Sequence, residues 1–455
     1  MKHCLASILL LFSFVINAQQ NVDLKSYSDN GASVKVNNKL LSVEWPSGSS
    51  TFSKMLINLE EAQPLINSLN TGSKSSYKEI AKNLDPVFIL RVGKRKLDPS
   101  SGGWDIFFDK VHNSPYTTNV ISFTKKNASV HTQGSSTVVK INSLQTAGFA
   151  GHLEITFYNG SPLFNIAAVI STDKDSTAIL YDAGLVSKKE AWKNIAWSNV
   201  RNQIETTVPT SNTQSINKEV KYRTIIGESE SGSLAVFPAP HQYFYPLDEA
   251  FNLRFTWYGK NYLDMVPDFG IGIRQEPAGD HRFIPWFNAP PKTDQRLNFF
   301  CLLSDKKPEV ALNEVKKFTN NDAYVSLPGY KRMATHFHNE FISDVVLSGK
   351  PVPENPEFVQ VLKKAGLDIV KLAEFHGPGH PKGPDSIRLI ELKALFDQTK
   401  RLSNDSFLLL PGEEANNFYG GHWLAFFQNL FIGSCQENLK LRLKVSILYM
   451  EKCTE

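Results

Sequence analysis

The sequence predicts an α+β multidomain chain: a large N-terminal β-sandwich followed by a C-terminal region of alternating strands and helices. Three observations carry this. From Val22 to about Leu303 short apolar runs alternate with polar turns, the texture of many strands in packed sheets. From about Tyr330 the order becomes strand, helix, strand, helix, strand, which implies parallel pairing. Aromatic residues make up 11% of the 455 residues, enough to fill large cores without disulfide staples.

In the first region, His152–Tyr158 alternates, Asn159-Gly160 turns, and Leu163–Ile170 runs on, a hairpin signal. Phe88–Val92, Trp104–Phe108, Val120–Phe123, Leu234–Phe237 and Leu297–Leu302 read as further strands, with turn signals such as Pro99–Gly103 between them. Lys307–Thr319 carries Val310, Leu312, Val315 and Phe318 at helical spacing and closes the region. In the second region Met333–His338 is a short strand, Pro356–Ala365 a helix stopped by Gly366, and Leu367–Ala373 a strand. Asp385 is placed to cap a helix running to about Leu402. Ser406–Leu410 is a buried strand ended by Pro411-Gly412.

A composition of 41% hydrophobic and 21% charged residues excludes a disordered chain. The net charge of +4, with no Lys/Arg run longer than Lys94-Arg95-Lys96, gives no footing for nucleic acid as a partner. Lys2, the apolar Leu5–Ile16 and the small Ala18 read as a signal peptide over residues 1–18. No later stretch is long and apolar enough to span a bilayer, so export to the periplasm or beyond the cell is expected, with no transmembrane segment. Cys301, Cys435 and Cys453, the cysteines left after cleavage, form neither a disulfide framework nor a thiolate metal site.

Polar residues follow each strand of the second region. His336-Phe-His338 comes after the first, Glu374-Phe-His376-Gly-Pro-Gly-His380 after the second, and Glu413-Glu414 with Gly420-Gly-His422 after the third. Strand C-terminal ends share one face of a parallel α/β sheet, where sites are built. Five of the chain's 11 histidines lie between His336 and His422. Buried unpaired they would be costly; a divalent cation would stabilise them through imidazole nitrogen and carboxylate oxygen. Each piece alone has an ordinary reading: surface histidines, a loop histidine, solvated glutamates. Their conjunction points to metal.

Thr335–Asn339, Gly366–Val370 leading into Ala373–His376, and Leu410–Glu414 with Gly421-His422 resemble the PHP (polymerase and histidinol phosphatase) superfamily, closest to its carbaryl-hydrolase-like branch. The resemblance covers about Thr335–Phe427. The strand region resembles, more weakly, the all-β domains that precede such hydrolases, Gly103–Asp109 included. It implies a distorted β/α barrel, two or three divalent ions (Zn, Mn or Fe) and hydrolysis, usually of phosphoesters. On it, His336, His338, His376, Glu414 and His422 are metal ligands. Glu374 stands where the family has an acid, with one extra residue before His376. His380 and Lys382 match no family position; they are candidates to assist a leaving oxygen, with Glu374 and His380 the catalytic pair. The substrate would be a small-molecule or glycan-linked ester.

The family pattern stops after Phe427. Residues 428–455 hold no histidine or aspartate, and a shifted reading of their codons restores family-like segments, so this stretch reads as an out-of-frame tail. The expected organisation is a signal peptide (1–18), a β-sandwich with its closing helix (19–328), an incomplete PHP-like β/α barrel (329–427) and the tail (428–455). The expected function is an exported metal-dependent hydrolase impaired by truncation. The alternative is a secreted carbohydrate-binding β-sandwich without catalysis, using Trp257, Tyr258, Trp286 and Phe287 as stacking platforms; the plainer reading of each aromatic is core. The sequence holds no Gly-x-Ser-x-Gly and no phosphate-binding Gly-x4-Gly-Lys-Ser/Thr.

Overall fold

A computed structural model describes residues 22–94, 115–188, 192–210, 212–240, 254–275, 285, 287–338, 340–373, 385–416 and 422–426, without the side chains of 126, 385–388, 415, 416 and 422–426. The expected signal peptide, the strand at Trp104–Phe108, Trp286 and the 428–455 tail lie outside these residues.

Alternating side chains build two large sheets. The first has ten strands, in the order Val22–Ser26, Ser122–Gln133, Ser136–Thr146, Phe149–Tyr158, Leu163–Thr172, Gln295–Ser304, Ser233–Phe237, Ile225–Glu228, Asn194–Ser198 and Ile204–Thr207. The second has eleven. Its main path runs Ile216–Lys218, Thr256–Gly259, Phe269–Ile273, Thr177–Ser187, Ser76–Lys94, Ile66–Ser73, Phe52–Asn58, Leu40–Pro46 and Ser33–Asn37. Pairing is antiparallel apart from Val22–Ser26, which runs parallel to Ser122–Gln133. The hairpin read from Asn159-Gly160 is present, with Phe157 opposite Phe164 and Gly160 at φ 83° in the left-handed region. The Val120–Phe123 run is not one strand: Tyr116–Val120 ends beside Ser76–Lys94, and Ser122–Gln133 begins in the other sheet.

One apolar core fills the space between the sheets, drawing on Leu41, Val43, Trp45, Phe88, Leu90, Phe157, Phe164, Tyr181 and Phe299. Trp45 is wholly buried, 4.8 Å from Phe157 by ring centroids, and its indole N–H donates to the Ser161 carbonyl at 2.9 Å. An aromatic ring with its single donor satisfied contributes its full apolar area to the core. The closing helix is Pro308–Phe318. It lays Ala311, Leu312 and Val315 on the outer face of the first sheet, against Ala235, Phe237 and Leu302, while Val310 and Phe318 stay exposed.

The outer face of the second sheet buries a small apolar cluster, with Ile89, Trp257 and Val266, beside a polar network. Ile89 and Arg91 alternate with the core residues Phe88 and Leu90, and Asp182 alternates with Tyr181 and Ala183. The Arg91 guanidinium meets Asp182 through two bonds of 3.1 and 2.9 Å. The Tyr262 hydroxyl and the Gln275 backbone N–H add two more donors to that carboxylate, at 2.8 and 2.9 Å. Tyr262 stacks on Trp257 with ring centroids 4.0 Å apart. Gly270 and Gly272 make room for that indole: a Cβ on either would come within 2.5 Å of it.

The C-terminal part is smaller. Met333–Phe337, Ile369–Leu372 and Leu408–Leu410 form a three-stranded parallel sheet in chain order, as the strand–helix alternation implies. Helices Glu357–Lys364 and Asp385–Leu402 cover one face, joining Val359, Leu362, Leu392 and Leu395 to Val370, Leu372 and Leu409. Gly366, at φ 85°, ends the first of them. The expected β/α barrel is not there among the described residues. After Leu410 the described residues add no fourth parallel strand; Gly412–Asn416 pairs antiparallel with His422–Phe426 in a separate two-stranded sheet. The molecule is predominantly β, and the incomplete PHP-like barrel is corrected to a short open sheet under two helices. Among the described residues no helix is long and apolar enough to cross a membrane.

Candidate metal centre

An irregularity in the first parallel strand sets the site. Ala334 pairs with Val370 and Phe337 with Leu372, so three steps on one strand answer two on the other. Such a bulge re-aims side chains. Ala334 and Phe337 both pack on the helix-side core. His336 and His338, either side of Phe337, therefore leave on the opposite face. Glu414 reaches them from Gly412–Asn416.

The three ligand atoms converge. His336 Nε2 and His338 Nε2 are 2.8 Å apart; Glu414 Oε2 lies 2.7 Å from the first and 2.8 Å from the second. The Glu414 side chain is 6% exposed, the histidines 44% and 39%. A buried carboxylate thus faces two half-open imidazoles. These contacts are poorly served by protons alone. Each ring nitrogen carries one hydrogen or one lone pair, in the ring plane, and cannot aim it at two partners. A cation accepts all three atoms at once, and imidazole with carboxylate is a ligand set for Zn and other first-row divalent ions, at ~2.0–2.2 Å.

His336, His338 and Glu414 are therefore brought together. Glu374, His376, His380 and Lys382 lie outside the described residues. His422 opens its strand opposite Asn416 in the register; its side chain is not described. Glu413 and Glu414 are both buried rather than solvated. Sequence reasoning missed Lys371, which is wholly buried in Ile369–Leu372. Its signal was a lone cation inside the run Ile-Val-Lys-Leu-Ala. Of the aromatic platforms, Trp257 and Tyr258 are core, because Thr256–Gly259 is buried on both faces; Phe287 is half-buried.

No family model matches the chain, and no curated protein matches it. It is similar to solved structures of other kinds. A glycosyl hydrolase family 38 protein from Enterococcus faecalis is 10% identical with a TM-score of 0.31, over 66% of this chain and 34% of that one. A GH36 α-galactosidase from Geobacillus stearothermophilus is 9% identical with a TM-score of 0.35, over 83% and 56%. A galactose mutarotase related enzyme from Lactobacillus acidophilus is 9% identical with a TM-score of 0.29, over 61% and 98%. The chain thus spans a third to somewhat over half of the two glycosidases. Likeness this slight assigns no activity. The PHP resemblance is nonetheless overturned: no family model supports it, and the barrel it implies is absent among the described residues.

Proposed function

We propose that the C-terminal part of this protein binds a divalent metal ion through His336, His338 and Glu414. The convergence of their three ligand atoms at 2.7–2.8 Å carries the reading. An ion there would acidify a bound water and supply a nucleophile for hydrolysis; phosphoester specificity does not form part of the proposal. The full chain, purified without chelator, is expected to hold Zn, Mn or Fe by elemental analysis and to bind added Co(II). A chain without metal that also leaves Co(II) free in equilibrium dialysis removes the reading.

The second reading is carbohydrate binding by the β-sandwich. With Trp257 and Tyr258 in the core and Phe287 packed against it, the aromatic face that supports it is the exposed Tyr116, on a strand of the second sheet that pairs with Ser76–Lys94. Titration with a panel of mono- and oligosaccharides is expected to give saturable heats that Tyr116→Ala weakens. No binding by any sugar ends this reading.

Export belongs to the proposal through the N-terminal pattern alone. N-terminal sequencing of the exported protein should find Gln19 first; a mature chain beginning at Met1 would contradict it.

A further inference from the structure

The candidate centre shares its sheet face with a cation that has no place among its ligands. Lys371 lies on the central strand Ile369–Leu372 and is 0% exposed. Val370 and Leu372 face the core under the helices, so Lys371 points the other way, to the side on which His336 and His338 leave. Its ammonium donates to the backbone carbonyl of Glu413, at 3.4 Å. That carbonyl belongs to the peptide that leads directly into Glu414.

A buried ammonium is costly, and a well-packed apolar side chain of similar volume usually serves stability as well or better. Leu, Val and Ile occupy every neighbouring position of this strand except this one. A tether of this kind has a use where a metal-binding carboxylate must be held to a few tenths of an ångström. Pro411 and Gly412 precede the two glutamates, where the chain leaves the parallel sheet, and neither has a polar side chain to hold that corner. Lys371 ties that corner to the middle of the parallel sheet, which also carries the histidines on its neighbouring strand.

We infer that Lys371 is a positioning residue of the centre: by holding the Glu413 carbonyl it fixes the Glu413-Glu414 backbone so that Glu414 Oε2 meets the two imidazoles. This rests on the metal reading above, and the test separates the two. Co(II) binding to the full chain is followed by its visible absorption, which reports ligand geometry. In wild type, absence of any Co(II) spectrum refutes the metal reading itself. Given a wild-type spectrum, Lys371→Met is expected to weaken Co(II) affinity by about 10–100-fold, the usual cost of losing an outer partner of a ligand, and to shift the absorption bands. Lys371→Arg, which keeps the cation but alters its reach, should fall between the two. A folded Lys371→Met protein with wild-type affinity and spectrum overturns the inference. Should Met unfold the C-terminal part, Lys371→Arg decides alone: wild-type affinity with unshifted bands overturns the inference, and weakened binding with shifted bands supports it.

Discussion

Asp182→Ala is expected to destabilise the β-sandwich by about 3–5 kcal/mol, the range for breaking a buried ion pair from one side. The carboxylate is 0% exposed and collects four donors: two from Arg91, one from Tyr262 and one from the Gln275 backbone. Removing it strands a guanidinium that is itself 2% exposed. The cost lies less in the lost attraction than in a charge left in a low-dielectric interior with no counterpart. Arg91→Met/Asp182→Ala should therefore recover much of the loss, because the double change removes both charges together. Urea melts of wild type, both single variants and the double variant give the four free energies of the cycle. A loss under about 1 kcal/mol for Asp182→Ala, the level of an exposed pair, would show that water reaches this carboxylate and that its four donors are not what holds it.

That network also marks the limit of what the sequence discloses. The alternation of Phe88–Val92 shows a strand, and its periodicity places Arg91 on the face away from Phe88 and Leu90. It does not show that the partner lies 91 residues away, because antiparallel neighbours are chosen by three-dimensional order and not by local pattern. Trp257 and Tyr258 illustrate the same limit. Their types suit a stacking surface as well as a core, and only the burial of Thr256–Gly259 on both faces decides. Tight turns and helix ends were legible because their chemistry is local: Asn159-Gly160, and Gly366 after Lys364. The short parallel sheet was legible from strand–helix order. Barrel closure was not, since it depends on the path of the chain beyond Leu410, which turns into an antiparallel hairpin. At the centre, His336 and His338 were legible as a pair two apart on a strand. The bulge that turns them off the core face was not, nor was the role of Lys371.

His336→Ala and His338→Ala should each lower metal affinity by more than the ~10–100-fold that loss of an outer-shell partner costs. Each removes one of only three described ligand atoms, and the remaining pair would hold an ion through two contacts. Glu414→Ala should do at least as much, because its oxygen faces both imidazoles and is the only anionic ligand described. Each histidine change should cost the apo protein only about 0.5–1.5 kcal/mol, one hydrogen bond's worth, since both side chains are more than one-third exposed and the other imidazole still meets the buried Glu414 carboxylate. That separation is the point of the experiment. A ligand's loss shows in the metal-dependent part of stability: for wild type, an ion at a hundred times its dissociation constant adds about 2.7 kcal/mol. The variants should unfold at the apo midpoint with or without metal. His131→Ala, on the strand Ser122–Gln133 of the β-sandwich, is the control and should keep the metal-induced shift. If wild type and both histidine variants shift equally when metal is added, the ion is held elsewhere, and the three convergent atoms are a hydrogen-bonded cluster of protein alone.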